Sequence, residues 1–110
     1  MTFARGVELH NAGDYFAAHE EWEVLWRAET NPETRLLLQG LIQITAAFHK
    51  HFQMGKPASA QRLLARGLAK LERSPDSYEG VDLKRFRTDA ARCEERLASR
   101  TMDESVVPRI

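Results

Sequence analysis

The sequence is short of the features from which a function is most directly read. One of its 110 residues, Cys93, is a cysteine, so no disulfide can close within the chain and no thiolate cluster can hold a metal. Sixteen basic residues balance sixteen acidic ones, which removes any general attraction to nucleic acid or to an anionic membrane. The C-terminal third holds more arginine, but acids are interspersed with it. The longest apolar stretch, Leu36 to Phe48, is broken by Gln39 and Gln43 and is too short to span a bilayer. Met1-Thr2-Phe3-Ala4-Arg5 lacks a charged region leading into an apolar run and a cleavage site, so a cytoplasmic location is the expectation. No stretch alternates with the period of a strand, and no glycine loop is present to cradle a phosphate. No cofactor is implied, and neither nucleic acid nor membrane is expected as a partner.

What the chain does have is helical periodicity, punctuated by glycine and proline. At 43% hydrophobic and 29% charged residues, it is composed like one ordinary globular domain. A first helix is expected from Thr2, a cap, to Ala12, with Phe3, Val7 and His10 on one face and Gly13 as its stop. A second runs from Tyr15, capped by Asp14, to Glu29. Asn31-Pro32 restarts the chain, and a third helix runs to Met54 before Gly55. Leu36, Leu37, Leu38, Leu41, Ile42, Ile44 and Phe48 surround this third helix, which makes it the central one. A fourth spans Pro57 to Arg73, and a fifth begins at Asp82, with Leu83, Phe86, Ala90, Cys93 and Leu97 three to four residues apart. Cys93 therefore reads as core rather than as a reactive thiol. The expected fold is all-α: a compact antiparallel bundle of about five helices over residues 1–100, with residues 101–110 as a flexible tail.

Two helix pairs share a loose repeat. Gly13-Asp14-Tyr15-Phe16-Ala17-Ala18 and Gly55-Lys56-Pro57-Ala58-Ser59-Ala60 each follow a helix carrying a glycine, as in a tetratricopeptide hairpin. Gly6, Gly40 and Gly67 lie inside helices, where each costs about 1 kcal/mol relative to alanine. Close approach of a neighbouring helix or a bulky ring would offset that cost.

One group of residues stands out on the second helix. With His19 at zero on a helical wheel, Tyr15, Trp22 and Trp26 fall within about 60° on one side, and Phe16 and Glu23 within about 60° on the other. An imidazole and a carboxylate thus sit in an aromatic stripe, and burying them requires hydrogen bonds or pairing. Their i, i+4 spacing lets them meet. The third helix offers Gln39 and Gln43, also four apart, with Arg35 on their stripe and His49 nearby.

The string from Tyr15 to Trp26, followed by Gln39-Gly40-Leu41-Ile42-Gln43 and His49, resembles the bacterial family called domain of unknown function 309. Its members carry a His-Glu-x-x-Glu-x-x-Trp motif and a Gln-Gly-Leu-x-Gln motif on successive helices. The resemblance covers roughly residues 3 to 71. It implies a small helical fold with no established activity, and makes His19, Glu20, Glu23, Trp26, Gln39, Gly40 and Gln43 signature positions.

Four readings of the cluster His19, Glu20, Glu23, Trp26, Gln39, Gln43 and His49 stand side by side. The first is a buried polar network that fixes the register of two helices. The second is a non-catalytic module acting through a protein partner or self-association, with aromatics as anchors. The third is a small-molecule or metal site using His19 and Glu23, completed by His49 or Glu20. A zincin helix needs two histidines four apart, and here the second position is Glu23. The fourth is metal-free catalysis, hydrolytic for example, with Glu23 or Glu20 as general base and His19 beside it. No serine or cysteine nucleophile is placed next to them.

Overall fold

The structure, a computed structural model, describes residues 2–110. Five helices follow the breaks set by glycine and proline: α1 Phe3–Asn11, α2 Tyr15–Ala28, α3 Pro32–Phe52, α4 Pro57–Leu71 and α5 Leu83–Ala98. Thr2 caps α1 by accepting the Arg5 N–H. Asn31 caps α3 by accepting from Glu33 and Thr34, and Asp82 caps α5 by accepting from Arg85. These bonds satisfy donors that a first helical turn leaves free. Asp14 stands at the cap of α2 but makes no side-chain bond there. Between α4 and α5, where the pattern shows no strand, a small antiparallel hairpin pairs β1 Ser77–Tyr78 with β2 Val81–Asp82. Strands of two residues are too short to display alternation. Their signal is the turn itself, because Glu79 and Gly80 both take positive φ, 50° and 79°, as a type I′ turn demands.

Short connections reverse the chain at each of the first three joints. Phe16, early in α2, meets His49, late in α3, while Trp26 meets Arg35 at the other end. Helix α3 packs against both α2 and α4, forming a layer with α3 in the middle. Helix α1 lies on α2, and α5 on α4, completing the core. Leu37, Leu38, Leu41, Ile44, Ala47 and Phe48 make α3 the most buried helix, as its apolar circumference implies.

The helical glycines are where helices come closest. A Cβ on Gly67 would stand 2.7 Å from the Gly40 carbonyl oxygen, and one on Gly40 would stand 2.9 Å from Leu71 Cγ. The backbones of α3 and α4 therefore touch at this point. On α1, a methyl at Gly6 would overlap the Trp22 indole. That ring lies flat across the helix, stacked on Phe3, and its Nε1 donates to the Phe3 carbonyl at 3.2 Å.

The buried polar centre of the fold is His10, which is 2% exposed. Tyr15, Trp22, Phe48 and Phe86 surround its ring. Nε2 is 2.9 Å from the Pro108 carbonyl, which can only accept, so Nε2 carries the proton. Nδ1 then accepts the Thr45 hydroxyl at 3.0 Å. Thr45 is itself fully buried, so a neutral imidazole satisfies the acceptor of one chain end and the donor of the central helix at once.

This centre also overturns the expected loose tail. Residues 101–110 fold back over α1 and α5 instead of fraying. Pro108 is buried and bonded to His10, and Asn11 clamps Ile110 by donating to its carbonyl and accepting from its N–H, both at 2.8 Å. Met102, Val107 and Ile110 pack on the core, and a short 3₁₀ turn, Glu104–Val106, shapes the path. The free Cys93 is buried beneath it, with its thiol pushed up to about 11 chiefly by burial, in keeping with a packing role.

Two predictions follow from these contacts. Gly6→Ala should lower stability by about 2 kcal/mol, since overpacking outweighs the gain in helix propensity, and depress the Tm by roughly 10 °C. Adding Trp22→Leu should recover part of that loss, and additive effects in a thermal-melt cycle would refute the contact. Burial pushes His10 down from 6.5 to about 4. Between those values the unfolded chain binds a proton that the folded chain refuses. Stability contributed by His10 is complete above pH 6.5 and falls by about 3 kcal/mol as pH drops to 4. Denaturant titrations should show this slope, flattened in His10→Gln, and an equal slope in that variant would rule His10 out as its source.

Candidate functional site

The sequence reading places His19 and Glu23 at the middle of the inward face of α2, and the structure moves them to its edge. Tyr15, Ala18 and Trp22 are the buried residues of this helix, with Leu25 packed beside them. Their arc is centred about 80° from His19 and about 120° from Glu23. Counting only the aromatic side chains pulled the expected centre toward His19; Ala18 and Leu25, small or aliphatic, pull it back. The side chains of His19 and Glu23 are 27% and 29% exposed.

His19 Nε2 is 3.3 Å from Glu23 Oε2, so the i, i+4 pair does meet. Arg27 holds the other Glu23 oxygen, one turn further on. The His19 Nδ1 atom is covered and has no protein partner among the described residues. Its ring stacks on Phe16 at 6.0 Å, and Phe16 in turn lies 5.1 Å from the His49 ring. His49 Nδ1 bonds to Gln53 at the end of α3. A cleft of about 200 Å³ opens here between Phe16, His19, Ala46, His49, Lys50 and Met54. Glu20 is exposed and points to solvent beyond this group.

The remaining candidates occupy the same outer side of the α2–α3–α4 layer without closing around His19. Trp26 forms the far end, with the Arg35 guanidinium 4.4 Å over its ring. Arg35 also donates to the carbonyls of Trp26 and Glu29 at 2.6 and 3.0 Å, satisfying the C-terminus of α2. Gln39 lines a shallow hollow with Trp26 and Arg35. Gln43 faces α4 instead of α2, accepting from Lys70 Nζ at 2.8 Å. Among the described residues Gln39 and Gln43 make no bond to His19 or Glu23, so the network expected between α2 and α3 does not form there. Among the described residues no group of three or more His, Cys, Asp or Glu converges on one point. His19 and Glu23 supply two donors, short of the four of a closed zinc sphere. Tyr15 and Trp22, the aromatic neighbours of His19 on the helical wheel, turn into the core.

The arrangement is thus an open strip. It runs from Phe16 and Met54 at one end, along Ala46, Gln43 and Gln39 of α3, to Trp26 and Leu36 at the other. Phe16, Leu36 and Met54 are 49%, 45% and 41% exposed, three of the four large hydrophobic side chains so exposed among the described residues. The polar centre that sequence reasoning missed is His10 with Thr45. His10 appeared only as a member of the α1 core face, and its partners lie 35 and 98 residues away, beyond any local pattern.

Comparison with known proteins finds similarity over much of the chain. An uncharacterized protein of Aquifex aeolicus (strain VF5) is 32% identical over 77 residues, 70% of this chain and 23% of its own length. The chain thus spans about a quarter of the relative it matches. A family model described as a domain of unknown function (DUF309) matches residues 3–63, just over half of the chain. That span holds α1, α2, α3 and the start of α4, ending somewhat before the Leu71 limit that the resemblance suggested. The chain belongs to this family, the domain of unknown function DUF309.

Proposed function

We propose that this domain is a non-catalytic interaction module that uses the outer strip of α2 and α3 to hold a protein partner. The observation that carries the reading is the placement of Phe16, Leu36 and Met54. Large apolar side chains gain by leaving water, yet these three stay out along one face while the core closes without them. Half-exposed aromatic and arginine side chains such as Trp26 and Arg35 are the types that dominate binding energy at interfaces. Helical hairpins laid side by side commonly present such a face to a peptide or helix. The uncharacterized relative supports the same view, because there the matching stretch is a minor part of a longer chain.

A second reading, a small-molecule site, is favoured by the cleft of about 200 Å³ beside Phe16 and by the unpartnered His19 Nδ1 on its wall. On both readings the His19–Glu23 pair is functional surface and not a foundation of the fold.

Two measurements test this. His19→Ala should change stability by no more than about 0.5 kcal/mol, the range for exposed ion pairs, whereas His10→Ala should cost several times more. A large loss from His19→Ala would return the pair to a structural role. Photo-crosslinking from p-benzoylphenylalanine at position 16 in living cells should give one discrete protein adduct. The same probe at Val24, 40% exposed and about two turns along and 80° round α2 from Phe16, should give none. No adduct at position 16, or the same product from both positions, would refute the interaction reading.

A further inference from the structure

The balanced charge of the whole chain conceals a strong segregation. Residues 1–33 carry seven acids against two bases. From Thr34 to Leu71 there is no aspartate or glutamate at all, while Arg35, Lys50, Lys56, Arg62, Arg66 and Lys70 all fall within it. Past Glu33, in its first turn, the α3–α4 hairpin is therefore purely cationic. On α4, Arg62, Arg66 and Lys70 are spaced four apart, and Arg73 follows just beyond the helix end, so all four share one side within about 80°. That side faces the strip, because Lys70 Nζ reaches Gln43 of α3 at 2.8 Å.

These four cations form a continuous row without a carboxylate partner, unlike five arginines elsewhere on the surface. Arg5, Arg27, Arg85, Arg87 and Arg92 each have a carboxylate within 4 Å. Among the described residues Arg62, Arg66, Lys70 and Arg73 have none. Like charges at i, i+4 repel and weaken a helix, so local stability gives no reason for the row. Beside it a cleft of about 250 Å³ opens between Leu36, Leu37, Lys70, Arg73 and Pro75, with Glu33 on its rim.

We infer that this side of α4 docks an acidic amphipathic helix of a partner protein. The inference rests on the interaction reading and names the chemistry of its partner. Glutamates four residues apart on a helix repeat at the same spacing as Arg62, Arg66 and Lys70, about 12 Å from first to third in both. An aliphatic side chain on the adjoining face of the same helix fills the Leu36–Leu37 cleft, flanked by Lys70 and Arg73. A nucleic-acid backbone would use the cations but gain nothing from exposed Leu36 and the apolar seat. A second copy of this chain fits less well: on the outer side of α2, Glu20 and Glu23 are interrupted by Arg27, which Glu23 already holds.

The test is fluorescence anisotropy with a labelled synthetic helix bearing glutamates four residues apart and leucines on the adjoining face. The expected result is salt-sensitive binding, at least tenfold weaker for the same peptide with glutamine in place of glutamate. Binding should weaken at least tenfold for Arg66→Glu/Lys70→Glu with an unchanged thermal melt. If that variant misfolds, Arg66→Gln/Lys70→Gln serves with a smaller but still clear loss. Equal binding of the two peptides, or none, overturns the inference. So does tighter binding of a duplex oligonucleotide that the same substitutions abolish, or concentration-dependent pairing of the chain through this row in sedimentation. The two readings separate in the position-16 adduct. If it persists in the charge-reversed variant, the acidic-helix inference fails and the module reading survives. If no adduct forms in the native background, the broader reading fails as well.

Discussion

Most elements of the fold meet at one neutral imidazole. His10 comes from α1, its ring is enclosed by side chains of α2, α3 and α5, and its two nitrogens bind α3 and the C-terminal segment. A ring so buried cannot afford an unpaired nitrogen, because an unsatisfied polar atom in a low-dielectric core costs about 1–3 kcal/mol. The requirement works in both directions. Thr45 is positioned by the donor it must supply, and residues 101–110 are drawn onto the core because the Pro108 carbonyl is the acceptor. The Asn11 clamp on Ile110 then fixes the last turn of chain.

With the interior polarity settled at His10, the His19–Glu23 pair is released from any structural duty at the centre. Helix α3 explains where the pair goes. Packed by α2 on one flank, by α4 on the other and by the core beneath, it has one side left. That side carries Leu36, Gln39, Gln43, Ala46 and Lys50, more polar than the rest of the helix. The edge of α2 next to it carries Phe16, His19, Glu23 and Trp26. The cluster is thus a set of neighbours along an open face and not a closed pocket.

Much of this was legible in the sequence because it depends on local chemistry. The helix ends follow from Thr2, Asn31-Pro32, Gly55 and Asp82, whose backbone preferences act over a few residues. The internal glycines gave away the close contacts, since Gly6, Gly40 and Gly67 would be a needless cost without them. The site was legible as a list of residues but not as a geometry. A helical wheel weighted by aromatic size overlooks Ala18 and Leu25, and an error of about 80° is enough to carry a surface residue into the core. His10 and the tail were illegible for another reason. Their bonds span 35 and 98 residues, and only the assembled fold brings such partners together.

The two ends of the open face differ in stiffness, and this bears on what each can do. At the Trp26 end, Arg35 is fixed by two carbonyl bonds and lies on the indole. An arginine held in this way has already lost its rotamer freedom, so a partner meets it without that entropic cost. At the Phe16 end, Met54 follows the last turn of α3, is unbranched and soft, and lines the cleft there. A rigid anchor beside an adaptable one is what a face needs in order to fix a partner's orientation while tolerating variation in its sequence. The cationic row of α4 runs along the far border of the same face, where unpaired charges speed encounter more than they add affinity. On the proposed reading, orientation and adaptability fall to the two ends of the α2–α3 edge and attraction to α4, and α3 joins them because it packs against both of the others.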